Sequence, residues 1–183
     1  MPNWMRHALE ISGDKKQVEK FFNTIGDGFA SEQPINFEKI IPPPANLFRG
    51  NLGKEEEEYC KANNIPDWYS WNRVNWGTKW NAAYLETKFN EDGDRVLFFD
   101  TAWAVPLPIL ERIEEMVAQD FPKVKIYGEF LEEGYQSGGF FTIDASGGSV
   151  HSLDVGMDYN EDTDDYITYA RDEHDQDFKF KYL

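Results

Sequence analysis

The sequence predicts an α+β fold, a split βαββαβ core elaborated at two places, and three observations lead to it. Two long segments carry apolar residues at helical spacing: Val18, Phe21, Phe22 and Ile25 in the first, and Ile109, Leu110, Ile113, Met116 and Val117 in the second. Around them lie segments in which apolar and polar residues alternate, the mark of half-buried strands. The resulting order is strand, helix, insertion, strand, strand, helix, strand. That is the order of ferredoxin-like domains, whose two helices cover one sheet face.

Residues 5–11 alternate and end at Ser12-Gly13, and Asp14 is placed to cap the first helix while Gln17 reaches back in a variant of the capping box. Gly26 and Gly28 stop that helix. From about 27 to 81 the pattern loosens into a Trp-rich insertion. Residues 35–41 read as a strand, ended by Pro42-Pro43-Pro44, which has no amide hydrogens to donate. Residues 54–63 form an acidic helix whose Glu55 to Glu58 run sits at the favourable end of the helix dipole as a solvated face. Asp67 caps a further helix with Trp68, Trp71 and Val74 or Asn75 on one side, stopped by Gly77.

Residues 83–89 and 95–101 alternate about an Asp-Gly turn and form a hairpin. Pro106-Leu107-Pro108 suits the first turn of the second long helix, Phe121-Pro122 ends it, and residues 124–130 are the next strand. Residues 1–133 thus make a ferredoxin-like domain. Residues 134–183 are an acidic strand-rich extension packed on the same domain, with strands expected at 140–144, 153–159, 166–170 and 178–182.

The 183 residues are 40% hydrophobic and 16% aromatic, enough to build a real core. The formal charge of -16 argues against direct nucleic-acid binding, which needs clustered Lys and Arg, and suits a protein partner with a basic surface or simple solubility. Cys60 is the only cysteine, so disulfides within the chain and multi-thiolate metal sites are excluded and a reducing compartment is expected. Neither a signal-peptide pattern nor a membrane-length apolar run is present, so a cytoplasmic protein without membrane contact is expected.

Residues 68–80 hold four of the six tryptophans, and the run at 99–103 adds a fifth. Two readings stand open: anchors of a core, or a Trp-lined site. In the second, Trp76, Thr78, Lys79, Trp80, Asp100 and Trp103 bind a planar, nucleotide-like ligand by stacking beside polar groups, with Trp76, Lys79, Asp100 and Trp103 converging. A plain Lys79–Asp100 ion pair is the structural alternative. A second candidate surface is acidic: Asp158, Glu161, Asp162, Asp164, Asp165, Asp172 and Glu173 are expected to contact a basic partner, imitating the spaced phosphates of a nucleic acid.

The segment 158–164 begins like an EF-hand loop, but Thr163 stands where Gly is required and Tyr169 where the bidentate Glu belongs, so no metal site is expected. His7, His151 and His174 are scattered without zinc spacing, and the glutamates near Cys60 suppress thiolate formation. Neither a nucleophile elbow nor a phosphate-cradling loop occurs. No catalytic residue or cofactor is expected, and a carboxylate-based hydrolase is the remaining enzymatic alternative.

Four motifs appear in order: Met1-Pro2-Asn3-Trp4, I-I-P-P-P at 40–44, W-N-x-x-x-W-G-T-K-W-N-A at 71–82, and F-D-T-A-W-x-x-P at 99–106. Together they resemble the YubB ferredoxin-like family. That resemblance implies a ferredoxin-like core and a gene carried by phages and plasmids, hence a bacterial host cell, and brings no established reaction. With the acidic charge it leads to the expectation of a non-enzymatic phage or plasmid accessory protein that binds and inhibits a host defence or nucleic-acid-processing protein.

Overall fold

Alternation in β1 (Trp4–Gly13) sorts the chain into two sides: Met5, Leu9 and Ile11 are buried on one face, while Arg6 and Glu10 belong to the other. The computed structural model describes residues 3–160, 165–174 and 176–183. β1 pairs on one side with β3 (Arg95–Ala102) and on the other with β4 (Val124–Glu132). β2 (Ala83–Phe89) joins β3 as a hairpin, and β4 runs on into β5 (Gly138–Asp144), β6 (Gly147–Asn160) and β7 (Asp165–Arg171). The outcome is an α+β fold with a seven-stranded antiparallel sheet in the order β2-β3-β1-β4-β5-β6-β7. β6 divides its pairing, residues 147–153 with β5 and residues 154–160 with β7.

Two helices cover one face. In α1 (Lys15–Ile25) the Asp14 carboxylate accepts the Gln17 amide at 3.1 Å, as the capping pattern predicts. The Gln17 side chain does not close the box; its Oε1 accepts the Lys123 amide at 2.9 Å and ties the helix to the start of β4. α5 (Leu107–Asp120) begins at its prolines. Val18, Phe21, Phe22 and Ile25 of α1 and Ile109, Leu110, Ile113, Met116 and Val117 of α5 join Leu9, Leu97, Phe99, Ile126 and Phe141 in one core. Each such side chain contributes about 1.5–3 kcal/mol on full burial.

The insertion forms α2 (Phe37–Ile40), α3 (Lys54–Ala62) and α4 (Trp68–Asn75). α2 corrects the strand expected at 35–41. Asn36 accepts the Glu38 amide at 2.9 Å, and the Asn81 carboxamide oxygen accepts the Phe37 amide at 2.9 Å, so the first turn is capped and Phe37 and Ile40 point into the core. In α4 the Asp67 cap holds, but Val74 is exposed and Asn72 is the buried residue, because its Nδ2 donates to the Lys79 carbonyl at 2.9 Å. Cys60 is buried; burial raises its pKa, and Asp67 and Glu56 add to the rise. Among the described residues no helix is long and apolar enough to cross a membrane.

Residues 178–182, expected as a strand, instead lie as a strap over the second sheet face. Phe178, Phe180 and Leu183 pack with Tyr135 and Phe140 against Leu131, Leu153, Val155 and Ala170. The fully buried Glu129 carboxylate accepts the Lys181 amide at 2.6 Å, the Tyr182 amide at 2.8 Å and the Tyr127 hydroxyl at 3.0 Å. These amides are satisfied by a side chain, so no ladder partner is needed. Glu10 takes the Lys181 ammonium and the Tyr182 hydroxyl. Burial alone would raise the Glu10 pKa, but those two hydrogen bonds outweigh it and hold the pKa below its ordinary value.

His7 is buried on the helix-covered face, stacked on Phe99 at 4.6 Å between ring centres, with Nε2 against the Thr101 hydroxyl at 2.9 Å and Nδ1 without a hydrogen-bond partner among the described residues. Burial lowers its pKa to about 3. The unfolded chain therefore takes up a proton near the ordinary value while the folded chain refuses it. Stability is full above about pH 6.5 and falls as pH drops toward 3. A His7→Gln variant should show a stability curve flatter by about 1.4 kcal/mol per pH unit between about pH 6 and pH 4, read from urea melts. Parallel curves would contradict the buried neutral imidazole.

Candidate functional site

The loop from α4 into β2 carries most of the tryptophan block, and it is pinned before it presents anything. Gly77 turns with φ +77°, and a Cβ there would meet Pro108 at 2.9 Å, so glycine is required where the loop passes the start of α5. Thr78 is fully buried, and its hydroxyl donates to the Ala102 carbonyl at 2.8 Å, stitching the loop to the end of β3. Asn81 bonds Asn36 as well as Phe37, fixing the loop's far side. Trp76 is buried beneath it: the indole N–H donates to the Ile41 carbonyl at 3.0 Å, and the ring meets Phe37 and Trp71 edge-on at 5.9 and 5.5 Å. For Trp76 and Thr78 the core reading holds.

Above this base the loop presents Lys79 and Trp80. The Lys79 ammonium lies 4.5 Å from the Trp80 ring centre, 5.1 Å from that of Trp103 and 5.9 Å from that of Tyr69. Each contact at an exposed site contributes about 0.5–1 kcal/mol, because the ring faces are electron-rich. Trp4 and Tyr84 continue the aromatic surface: Trp4 is 5.9 Å from Trp80 and 5.1 Å from Tyr84. Trp80, Trp103 and Tyr84 keep 36%, 44% and 70% of their surface exposed, so the cluster faces solvent. No ion pair joins Lys79 to Asp100 or to any other described carboxylate.

Two backbone conformations place these rings. Trp103 has φ +74° while its amide donates to the Asn3 carbonyl at 2.9 Å, and Tyr84 has φ +51° in a β-bulge, where residues 84 and 85 oppose Phe99 alone. Bulges of this kind favour Gly at a left-handed position, and a bulky residue there costs on the order of 1–3 kcal/mol. The chain sustains that cost at two neighbouring exposed aromatics.

Of the expected convergence, Lys79 and Trp103 meet, Thr78 supports them, and Trp76 lies beneath. Asp100 turns to the other sheet face, opposite Arg6 in the β1–β3 register. Burial raises the Asp100 pKa, Arg6 opposes the rise and Glu133 adds to it. Tyr69 and Tyr84 escaped the sequence reading because only the α4 docking and the bulge bring them to the cluster, and Arg6 escaped it because only the β1–β3 register sets it opposite Asp100. Trp4 had a signal, its place in the N-terminal motif.

In the acidic region, Glu161, Asp162 and Asp164 lie outside the described residues. The backbones of Asp158 and Asp165 lie in the β6–β7 ladder. Asp172 is structural: its carboxylate accepts the His174 amide at 2.9 Å and the Gln176 amide at 3.0 Å, holding a turn, and the same bonds depress its pKa. Glu173 is exposed, 3.7 Å from His174. No known family model matches the chain, and no curated protein or solved structure is significantly similar to it.

Proposed function

We propose that this is a non-enzymatic binding protein that docks on a host protein with a basic surface, anchoring itself by the aromatic cluster around Lys79. The carrying observation is that cluster: Trp80, Trp103 and Tyr84 are grouped and exposed on a braced loop and a bulge. Tryptophan and tyrosine are the residues that dominate protein interfaces, since each supplies a large contact area at low entropic cost. The charge of -16 supplies the steering field for a basic partner. In this proposal the first four strands with α1 and α5 form a ferredoxin-like split βαββαβ core, which their order β2-β3-β1-β4 supports. The resemblance to the YubB family supports a phage or plasmid origin, action in the cytoplasm of a bacterial host, and inhibition of a defence or nucleic-acid-processing protein.

Affinity capture from a bacterial lysate tests this with the wild type, a Trp80→Ala/Trp103→Ala double variant, and an Asp154→Asn/Glu173→Gln variant. The aromatic variant should stay folded, its melting temperature lowered by about 2–8 °C as the two Lys79 contacts are lost, yet lose the captured protein. The charge variant should retain it with slower association and weaker salt dependence. Equal capture by all three would remove the aromatic cluster as the anchor.

A further inference from the structure

On the sheet face away from α1 and α5, a groove of about 410 Å³ runs beside the strap. That volume falls within the range of small-molecule sites, about 300–1,000 Å³. Arg6 and Asp100 line it as directly opposed residues of β1 and β3. They are neighbours without being partners: Arg6 forms no ion pair with any described carboxylate. A guanidinium fork and a carboxylate, side by side and unspent on each other, offer a row of donors next to a row of acceptors.

Glu86, Leu131 and Leu183 also line the groove, and most of the remaining lining is aromatic. Tyr84, Tyr135, Tyr182 and Phe98 contribute to the walls, with Phe98 and Tyr182 edge-on at 6.3 Å. Tyr135 has φ +56° and Tyr84 φ +51°, so two of these tyrosines sit on left-handed backbone that glycine would occupy without strain. Tyr135 is carried by the turn after β4, which the Glu132 carboxylate braces by accepting the Gly134 amide at 2.7 Å. Aromatics on left-handed backbone thus come from a bulge in β2 and from the turn after β4 to one groove.

We infer that this groove binds a guanine-type purine base, with Arg6 donating to the O6 and N7 edge, Asp100 accepting from N1–H and the exocyclic amine, and the tyrosines stacking on the ring. Guanine presents two adjacent acceptors beside two adjacent donors, which matches the Arg–Asp pair. Adenine offers one acceptor and one donor on the corresponding edge and leaves half of each fork unused. The half-buried Asp100 carboxylate gains from such donors, since partial burial and Glu133 disfavour its charge by more than Arg6 restores. A single base on a free nucleoside is the source favoured by the charge of -16, which repels a polynucleotide. This inference does not depend on the partner-docking proposal.

Titration calorimetry with guanosine, adenosine and a guanine-containing single-stranded RNA oligonucleotide, followed by amide NMR mapping, tests the assignment. Guanosine should bind at least about tenfold more tightly than adenosine and shift the amides of Arg6, Tyr84, Asp100 and Tyr135. Asp100→Asn should weaken guanosine binding by about tenfold or more with a native amide spectrum, and Arg6→Gln, on an exposed side chain, should do the same. The Trp80→Ala/Trp103→Ala variant should bind guanosine as the wild type does, which separates this site from the docking cluster. Equal binding of adenosine, shifts centred elsewhere, or wild-type affinity in both groove variants overturns the proposal. Tighter binding of the oligonucleotide than of guanosine overturns the free-nucleoside source.

Discussion

Trp76→Ala is expected to lower the unfolding free energy by about 3–5 kcal/mol, the range for emptying a buried aromatic site. The side chain is 3% exposed and wedged between Phe37 and Trp71, neither of which can swing into the space without leaving its own contacts. Its loss also leaves the Ile41 carbonyl without the indole donor that now meets it at 3.0 Å. Trp76→Phe keeps much of the volume and loses only the donor, so its cost should be nearer about 1–3 kcal/mol. The two losses are separable by urea denaturation of both variants. For a chain of this size each kcal/mol corresponds to about 2–4 °C in melting temperature. A Trp76→Ala protein within about 1 kcal/mol of the wild type would show that the ring is not a core anchor, and the loop carrying Lys79 and Trp80 would lose its physical base.

Glu129→Ala should cost a similar amount, about 3–5 kcal/mol, by a different route. This one carboxylate accepts the Lys181 and Tyr182 amides and the Tyr127 hydroxyl, all close to or within the second core. Alanine strands three donors and releases the strap from the sheet. Hydrogen exchange should show protection lost at Lys181 and Tyr182, with β1 and β3 remaining protected until global unfolding. Glu129→Gln retains one acceptor oxygen and should lie between the two. Unchanged exchange at Lys181 and Tyr182 in the alanine variant would mean that Phe178, Phe180 and Leu183 hold the strap by packing alone. Because Tyr182 also lines the Arg6–Asp100 groove, releasing the strap should weaken guanosine binding along with stability.

The parts legible in the sequence were those encoded locally. Helical spacing marked α1 and α5, alternation marked β1 to β4 and residues 153–159 of β6, flanking glycines marked β5, Asp14 and Asp67 were readable as caps, and the charge of -16 was a matter of composition. Such patterns work because a helix or strand exposes its period to water wherever it packs. The tertiary structure alone decided the rest. Residues 37–40 coil because Asn81, far along the chain, accepts the Phe37 amide, and residues 178–182 form a strap because Glu129 and Glu10 capture groups that a strand would have paired. Whether a tryptophan was core or surface also depended on partners remote in sequence: Trp76 found Phe37 and Ile41, while Trp80 and Trp103 lie against Lys79, Tyr69 and Trp4 at the edge of solvent. A side chain's hydrophobicity is a property of its own residue, but its burial belongs to whatever the fold brings against it.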